Sequence, residues 1–93
     1  MANSRLTNDM EHCFICGRYG TEVHHIFFGT ANRKISDRLG YVVPLCPEHH
    51  RGNTGVHQNR ALDLRLKGIA RDDYLLKYGD LDAFRATFGK TWL

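Results

Sequence analysis

Apolar residues fall into two short runs in the first half of the chain and into a looser, helix-like spacing in the second. Residues 22–28 carry Val23, Ile26, Phe27 and Phe28 in a stretch of β-formers, which predicts a strand. Residues 41–45, with Tyr41, Val42, Val43 and Leu45, predict a second strand. Pro44 has no N–H to give to a ladder, so this strand is expected to be short or at an edge. Residues 29–40 between the two runs are largely polar and read as a connection with room for one helical turn. Pro47 suits the start of a helical turn. Gly52 and Gly55 argue against a continuous helix through residues 50–57. Thr54 fits the N-cap of a helix reaching Lys67, with Val56, Leu62 and Leu66 on one face and Gly68 as its stop. Two shorter helices are expected over residues 72–78 and 80–88, the second capped by Asp80. Ile69, Tyr74, Leu75, Leu81, Phe84, Phe88 and Trp92 are expected to wrap back onto the core. Residues 1–11 are polar and expected to be loosely ordered, at least at their start.

Size changes the picture. The 93 residues suit one domain, and a domain this short often needs a metal or disulfides to complete its stability. The three cysteines are an odd number, which does not suit a disulfide framework. Six histidines are many for the length, and four of them stand in the adjacent pairs His24-His25 and His49-His50. Neither an apolar leader segment nor a membrane-length run is present, so a cytoplasmic protein with reduced thiols is expected. The net charge is only +3, yet the stretch from residue 31 to residue 71 holds eight Lys/Arg against three acids. A basic middle suggests a polyanionic partner, although a solvated helix face gives the same excess.

Cys13-x-x-Cys16 and Cys46-x-x-His49 are two half-sites, each short enough for one turn to present both ligands to a tetrahedral ion. Together they make a Cys₃His set suited to structural zinc. Gly17, directly after the first pair, is free to take the positive φ a tight turn needs. A thioredoxin-like redox pair or buried free thiols would leave Cys46 without a role. His12 falls outside both half-sites and reads as a surface residue.

His24, His25, His50 and His57 then remain. Neighbours on a strand point to opposite faces, so His24 and His25 should have different roles, one as metal ligand and one as base. Burying both without partners would be costly. His50 is fixed in place by the half-site before it. His24, His50 and His57 can converge on one divalent cation, leaving open positions as a catalytic metal requires.

Cys13-x-x-Cys16, followed by His24-His25-Ile26 and then Leu45-Cys46-x-x-His49-His50, resembles the HNH endonucleases, also called the ββα-metal or His-Me finger group. The likeness covers residues 13–67. It implies a small α+β fold: a β-hairpin and helix stapled by zinc, with residues 68–93 as a helical extension of a single domain over 1–93. It implies His24 and His50 as ligands of a catalytic cation (Mg²⁺, Mn²⁺, Ni²⁺ or Zn²⁺), His57 as a further ligand, and His25 as the general base. The small size is similar to compact phage-encoded members, which would act inside a host cell. Two departures stand out. His49 replaces the usual fourth cysteine, and the family's middle Asn, which braces the hairpin, has no counterpart in residues 40–44.

The function these residues suggest is metal-dependent hydrolysis of DNA, with Arg51 offsetting charge at the transition state and Arg33, Lys34 and Arg38 holding backbone phosphates. A non-catalytic zinc-stabilised DNA-binding module would explain the zinc set and the charge but not the four other histidines. A thiol redox protein is opposed by the cysteine count.

Overall fold

A computed structural model describes residues 4–53 and 55–92. The elements run β1 (Glu22–His25), α1 (Thr30–Leu39), β2 (Val42–Leu45), α2 (Pro47–His50), α3 (Arg60–Lys77) and α4 (Leu81–Phe88), a small α+β arrangement. β1 and β2 form a two-stranded antiparallel sheet with Glu22 opposite Leu45 and His25 opposite Val42. Pro44 is tolerated because β2 has one neighbour only, and its carbonyl accepts the N–H of Phe14 at 2.8 Å. Among the described residues no helix is long and apolar enough to cross a membrane.

Both strands are shorter than expected, and the connection between them is a ten-residue helix. α1 escapes the apolar pattern because its inward positions, spaced as i, i+3, i+4, i+7, are Asn32, Ile35, Ser36 and Leu39, half of them polar. It ends where Gly40 turns left-handed at φ 85° and its N–H returns to the Ser36 carbonyl. Ser36 is fully buried. Its hydroxyl donates to the Phe27 carbonyl at 2.9 Å and accepts the Phe27 N–H at 3.1 Å, so α1 takes over the backbone bonds just past β1.

The expectation of a helix stopping at Gly68 is corrected. α3 begins at the N-cap Asn59, whose side chain accepts the Leu62 N–H, and runs unbroken to Lys77, absorbing the separate helix expected at residues 72–78. A glycine ends a helix by turning left-handed, and Gly68 does not. It sits inside α3 at a cost of about 1 kcal/mol relative to alanine. The expected cap Thr54 lies outside the described residues. α4 begins as expected, with Asp80 accepting the Ala83 N–H at 2.9 Å.

Phe27 is the centre of the core. Its ring centroid lies 4.1 Å from Phe88, 5.1 Å from Trp92 and 5.5 Å from Phe84. Tyr74, Leu62, Leu66 and Val56 are buried around it, but Ile69 and Leu75 face outward. α3 is one continuous helix, so its outer face cannot also reach the core. The N-terminal segment is tied down rather than loose from Arg5 onward. The Arg5 N–H reaches the Gly40 carbonyl, and its guanidinium pairs with Asp73 at 3.0 Å. Asp73 also accepts the Tyr41 hydroxyl at 2.8 Å.

Ser36→Ala removes both partners of the buried Phe27 amide and carbonyl. It should lower unfolding stability at saturating zinc by about 1–3 kcal/mol. A urea midpoint that does not move would show that this clamp contributes nothing.

Candidate metal centres

The first centre joins the two ends of the hairpin. Cys13 and Cys16 lie on a turn that closes when the Gly17 N–H meets the Cys13 carbonyl at 2.8 Å, with Gly17 at φ 78°. Cys46 is the N-cap of α2, Pro47 opens that helix, and His49 lies on its single turn. The four ligand atoms all fall within 4.8 Å of one another. Cys16 Sγ lies 3.7 Å from Cys46 Sγ, and His49 Nδ1 lies 3.7 Å from Cys13 Sγ and 3.4 Å from Cys46 Sγ. Tetrahedral zinc, with bonds of about 2.3 Å to sulfur and about 2.05 Å to nitrogen, places such pairs about 3.8 Å and about 3.6 Å apart. The donor set therefore fits a closed tetrahedral ion, compatible with structural zinc.

The electrostatics agree. Burial pushes the Cys13 thiol up, but N–H donors from Cys46, Cys16 and Ile15 and the His49 ring outweigh it and bring its pKa down to about 6. At Cys16 the Arg18 N–H favours the thiolate, yet desolvation and the neighbouring Cys13 and Cys46 sulfurs raise the pKa overall. Thiolates crowded in this way repel one another until a cation relieves them.

The second centre is built from three elements. His24 comes from β1, His50 from the end of α2 and His57 from the turn that follows. Their rings stand 5.3–5.5 Å apart centre to centre, with ligand nitrogens within 4.8 Å of one another. His24 is buried, and its Nε2 finds no hydrogen-bond partner among the described residues. Burial, then the neighbouring His50 and His57, lowers its pKa to about 3, so the ring stays neutral, the form that binds metal. A buried nitrogen with no protein partner that faces two further imidazoles fits a cation ligand. The set is open on one side, where a cleft of about 220 Å³ is lined by His24, His50, His57, His25, Phe28 and Arg33 among others.

Glu22 supports this set, and sequence reasoning missed it. Its carboxylate meets His50 Nδ1 at 2.8 Å, which leaves Nε2 for a cation. The signal was strand alternation: Glu22 and His24 are two apart and share a face. Arg51 grips both oxygens of Glu22, one at 2.9 Å, so its guanidinium acts on the brace rather than reaching into the cleft.

His57 reaches the cluster through two glycines. A Cβ at Gly52 would stand 2.6 Å from the Glu48 side chain, and one at Gly55 would stand 2.8 Å from the Glu48 carbonyl. Only glycine lets the turn lie this close to α2, where the Val56 N–H bonds the His49 carbonyl at 2.8 Å. His57 is thus placed by a close-packed turn and not by a helix.

His25, the next residue on β1 after His24, is half-buried and lines the same cleft. Its Nε2 lies 3.3 Å from the Asp37 carboxylate, at the junction with a second cleft of about 560 Å³ lined by Thr30, Arg33, Lys34 and Asp37. Arg33, Lys34 and Arg38 are exposed on α1, and Arg33 lines both clefts. The other basic residues of the middle do not all share this surface. Lys67 is buried against Asp63, and Arg71 holds the Thr91 and Trp92 carbonyls. His12 is exposed and pairs with Asp9.

Comparison of the chain with protein-family models, curated proteins and solved structures finds no match.

The two neighbouring histidines should separate cleanly. His49→Cys should keep about one tightly held zinc per chain, since either residue serves a tetrahedral site, whereas His49→Ala should lose zinc and melt at lower temperature. His50→Ala should melt like the parent and keep that zinc. An unfolded His50→Ala beside a stable, zinc-loaded His49→Ala would mean the two residues serve the opposite centres.

Proposed function

We propose that this chain is a metal-dependent DNA endonuclease of the HNH, ββα-metal type, stapled by a structural zinc and acting inside the cell. The observation that carries the reading is the pairing of two things in one cleft. One is a three-imidazole set with an orphaned buried nitrogen. The other is a fourth imidazole, His25, held by a carboxylate. A non-catalytic zinc-stabilised DNA-binding module needs only the Cys₃His set and leaves the imidazole cluster without a purpose.

In this reading Asp37 accepts the Nε2–H of His25 and orients the ring, leaving the Nδ1 lone pair for a water molecule. His25 takes the water's proton as its oxygen bonds phosphorus and the P–O3′ bond breaks. The products are a 5′-phosphate and, once protonated, a 3′-hydroxyl. His24, His50 and His57 would hold a divalent cation, which when bound would supply Lewis-acid charge to the phosphate and the leaving oxygen. An all-imidazole set suits Zn²⁺ or Ni²⁺ better than Mg²⁺. Glu22 keeps His50 in the ligating tautomer, and Arg51 keeps Glu22 ionised and in place. Arg33, which lines both clefts, would take a phosphate oxygen, with Lys34 and Arg38 of the same helix on neighbouring backbone phosphates.

His25→Ala should keep the fold and zinc content but slow plasmid nicking on the order of 10²–10⁴-fold. Nicking at the parental rate would remove His25 from the chemistry. A parent protein that binds DNA yet never nicks it with any divalent cation would favour the binding module.

Neutralising Arg33, Lys34 and Arg38 should weaken binding to all DNA sequences alike. It should also flatten the dependence of log affinity on log salt by roughly one unit for each phosphate no longer held. An unchanged slope would make these side chains a solvated surface only.

A further inference from the structure

Beside the imidazole cleft lies a separate pocket of about 300 Å³, lined by Phe28, Val56, His57, Gln58, Arg60 and Asp63. Phe28 and His57 wall both spaces, so the two adjoin. Phe28 is unusual for its position. Ile26 and Phe27 just before it are fully buried, whereas Phe28 is 44% exposed.

The exposed ring is nevertheless held in place. Lys67 Nζ lies 4.1 Å from its centroid, and the His57 ring is 5.4 Å away. Lys67 is itself buried and paired with Asp63 one turn earlier on α3. Burial lowers the Lys67 pKa and the Asp63 carboxylate opposes that shift. The pair therefore anchors the ring from beneath, and it leaves the Asp63 charge matched where the carboxylate lines the pocket.

The lining has the chemistry that recognises a flat heterocycle. Phe28 offers a stacking face, Val56 an apolar floor, Gln58 an amide that both donates and accepts, and Asp63 an acceptor. Arg60, exposed at the rim, suits a phosphate. A nucleotide whose phosphate sits at the imidazole cleft has its base within reach of this wall. A base paired and stacked in a duplex cannot offer its face to Phe28. We propose that the Phe28 pocket receives an unpaired nucleobase next to the phosphate held at the imidazole cleft, so that the chain acts on single-stranded or locally opened DNA. The choice of a DNA strand rests on the endonuclease reading above.

The test is binding of the zinc-loaded full chain, by fluorescence anisotropy at one salt concentration, to three probes. These are a single-stranded oligonucleotide, its duplex, and the same duplex with a short unpaired bubble. The single strand and the bubble should bind more tightly than the duplex. Phe28→Ala should weaken those two roughly 5- to 150-fold, as loss of one stacked base does, and leave duplex binding unchanged. Phe28→Trp, which keeps a stacking face, should bind like the parent, and melting with zinc content confirms that both variants fold. Equal affinity for all three probes, or an equal loss on all three in Phe28→Ala, would overturn the proposal. Preference for the single strand in a protein that cuts none of the probes would overturn the endonuclease reading and leave the base pocket standing.

Discussion

Three thiols and one imidazole nitrogen converge to within 4.8 Å at the base of the hairpin, and the placement of His50 beside them depends on that convergence. The ligands come from two stretches of chain that are joined otherwise by a two-stranded sheet and the bond between Phe14 and Pro44. A hairpin of that size is marginal alone. Binding of structural zinc to small fingers is worth on the order of 10–16 kcal/mol, as much as the whole net stability of a typical domain, about 5–15 kcal/mol. The aromatic core around Phe27 packs against α3 and α4, whereas α2 carries Cys46 at its N-cap and His49 on its turn, the donors that a structural ion would tie to Cys13 and Cys16. His49 and His50 are adjacent on a helix of one turn, so whatever holds the first also places the second.

The imidazole cluster also depends on devices that hold each ring separately. β1 sets His24 in a buried position, Glu22 sets the tautomer of His50, and the close approach of Gly52 and Gly55 to α2 delivers His57. Just past β1, Ser36 clamps both polar groups of the Phe27 backbone from α1. The same helix carries Arg33, Lys34 and Asp37 to the cleft beside His25. One element thus fixes the strand end and supplies its charged surroundings.

The convergence of Cys13, Cys16, Cys46 and His49 was legible because ligand spacing within each half-site is local. Two-residue gaps in Cys13-x-x-Cys16 and Cys46-x-x-His49 encode a turn geometry directly, and no tertiary knowledge is needed to read them. The hairpin and α4 were legible for a similar reason, through β-formers and the Asp80 cap. α1 was hidden because its inward face includes Asn32 and Ser36, and polarity masks helical period there. Gly68 misled because a stop signal depends on φ, which only the surrounding structure settles. Glu22, Asp37 and the buried Lys67–Asp63 pair were invisible as site residues. Glu22 and Asp37 meet His50 and His25 far along the chain, and the Lys67–Asp63 pair matters here because it lies under Phe28, a residue expected to be strand.

The central claim is that one short chain holds two metal centres of different ligand class. Cobalt(II) titration of the zinc-free, reduced chain tests it most directly, because thiolate ligands give an intense ultraviolet charge-transfer band and imidazoles do not. The account predicts that this band saturates at about one equivalent per chain, as three thiolates in one closed site require, while a second equivalent binds and changes only the weak visible bands. A charge-transfer band that keeps growing through the second equivalent, or a chain that takes up no second ion, would contradict it.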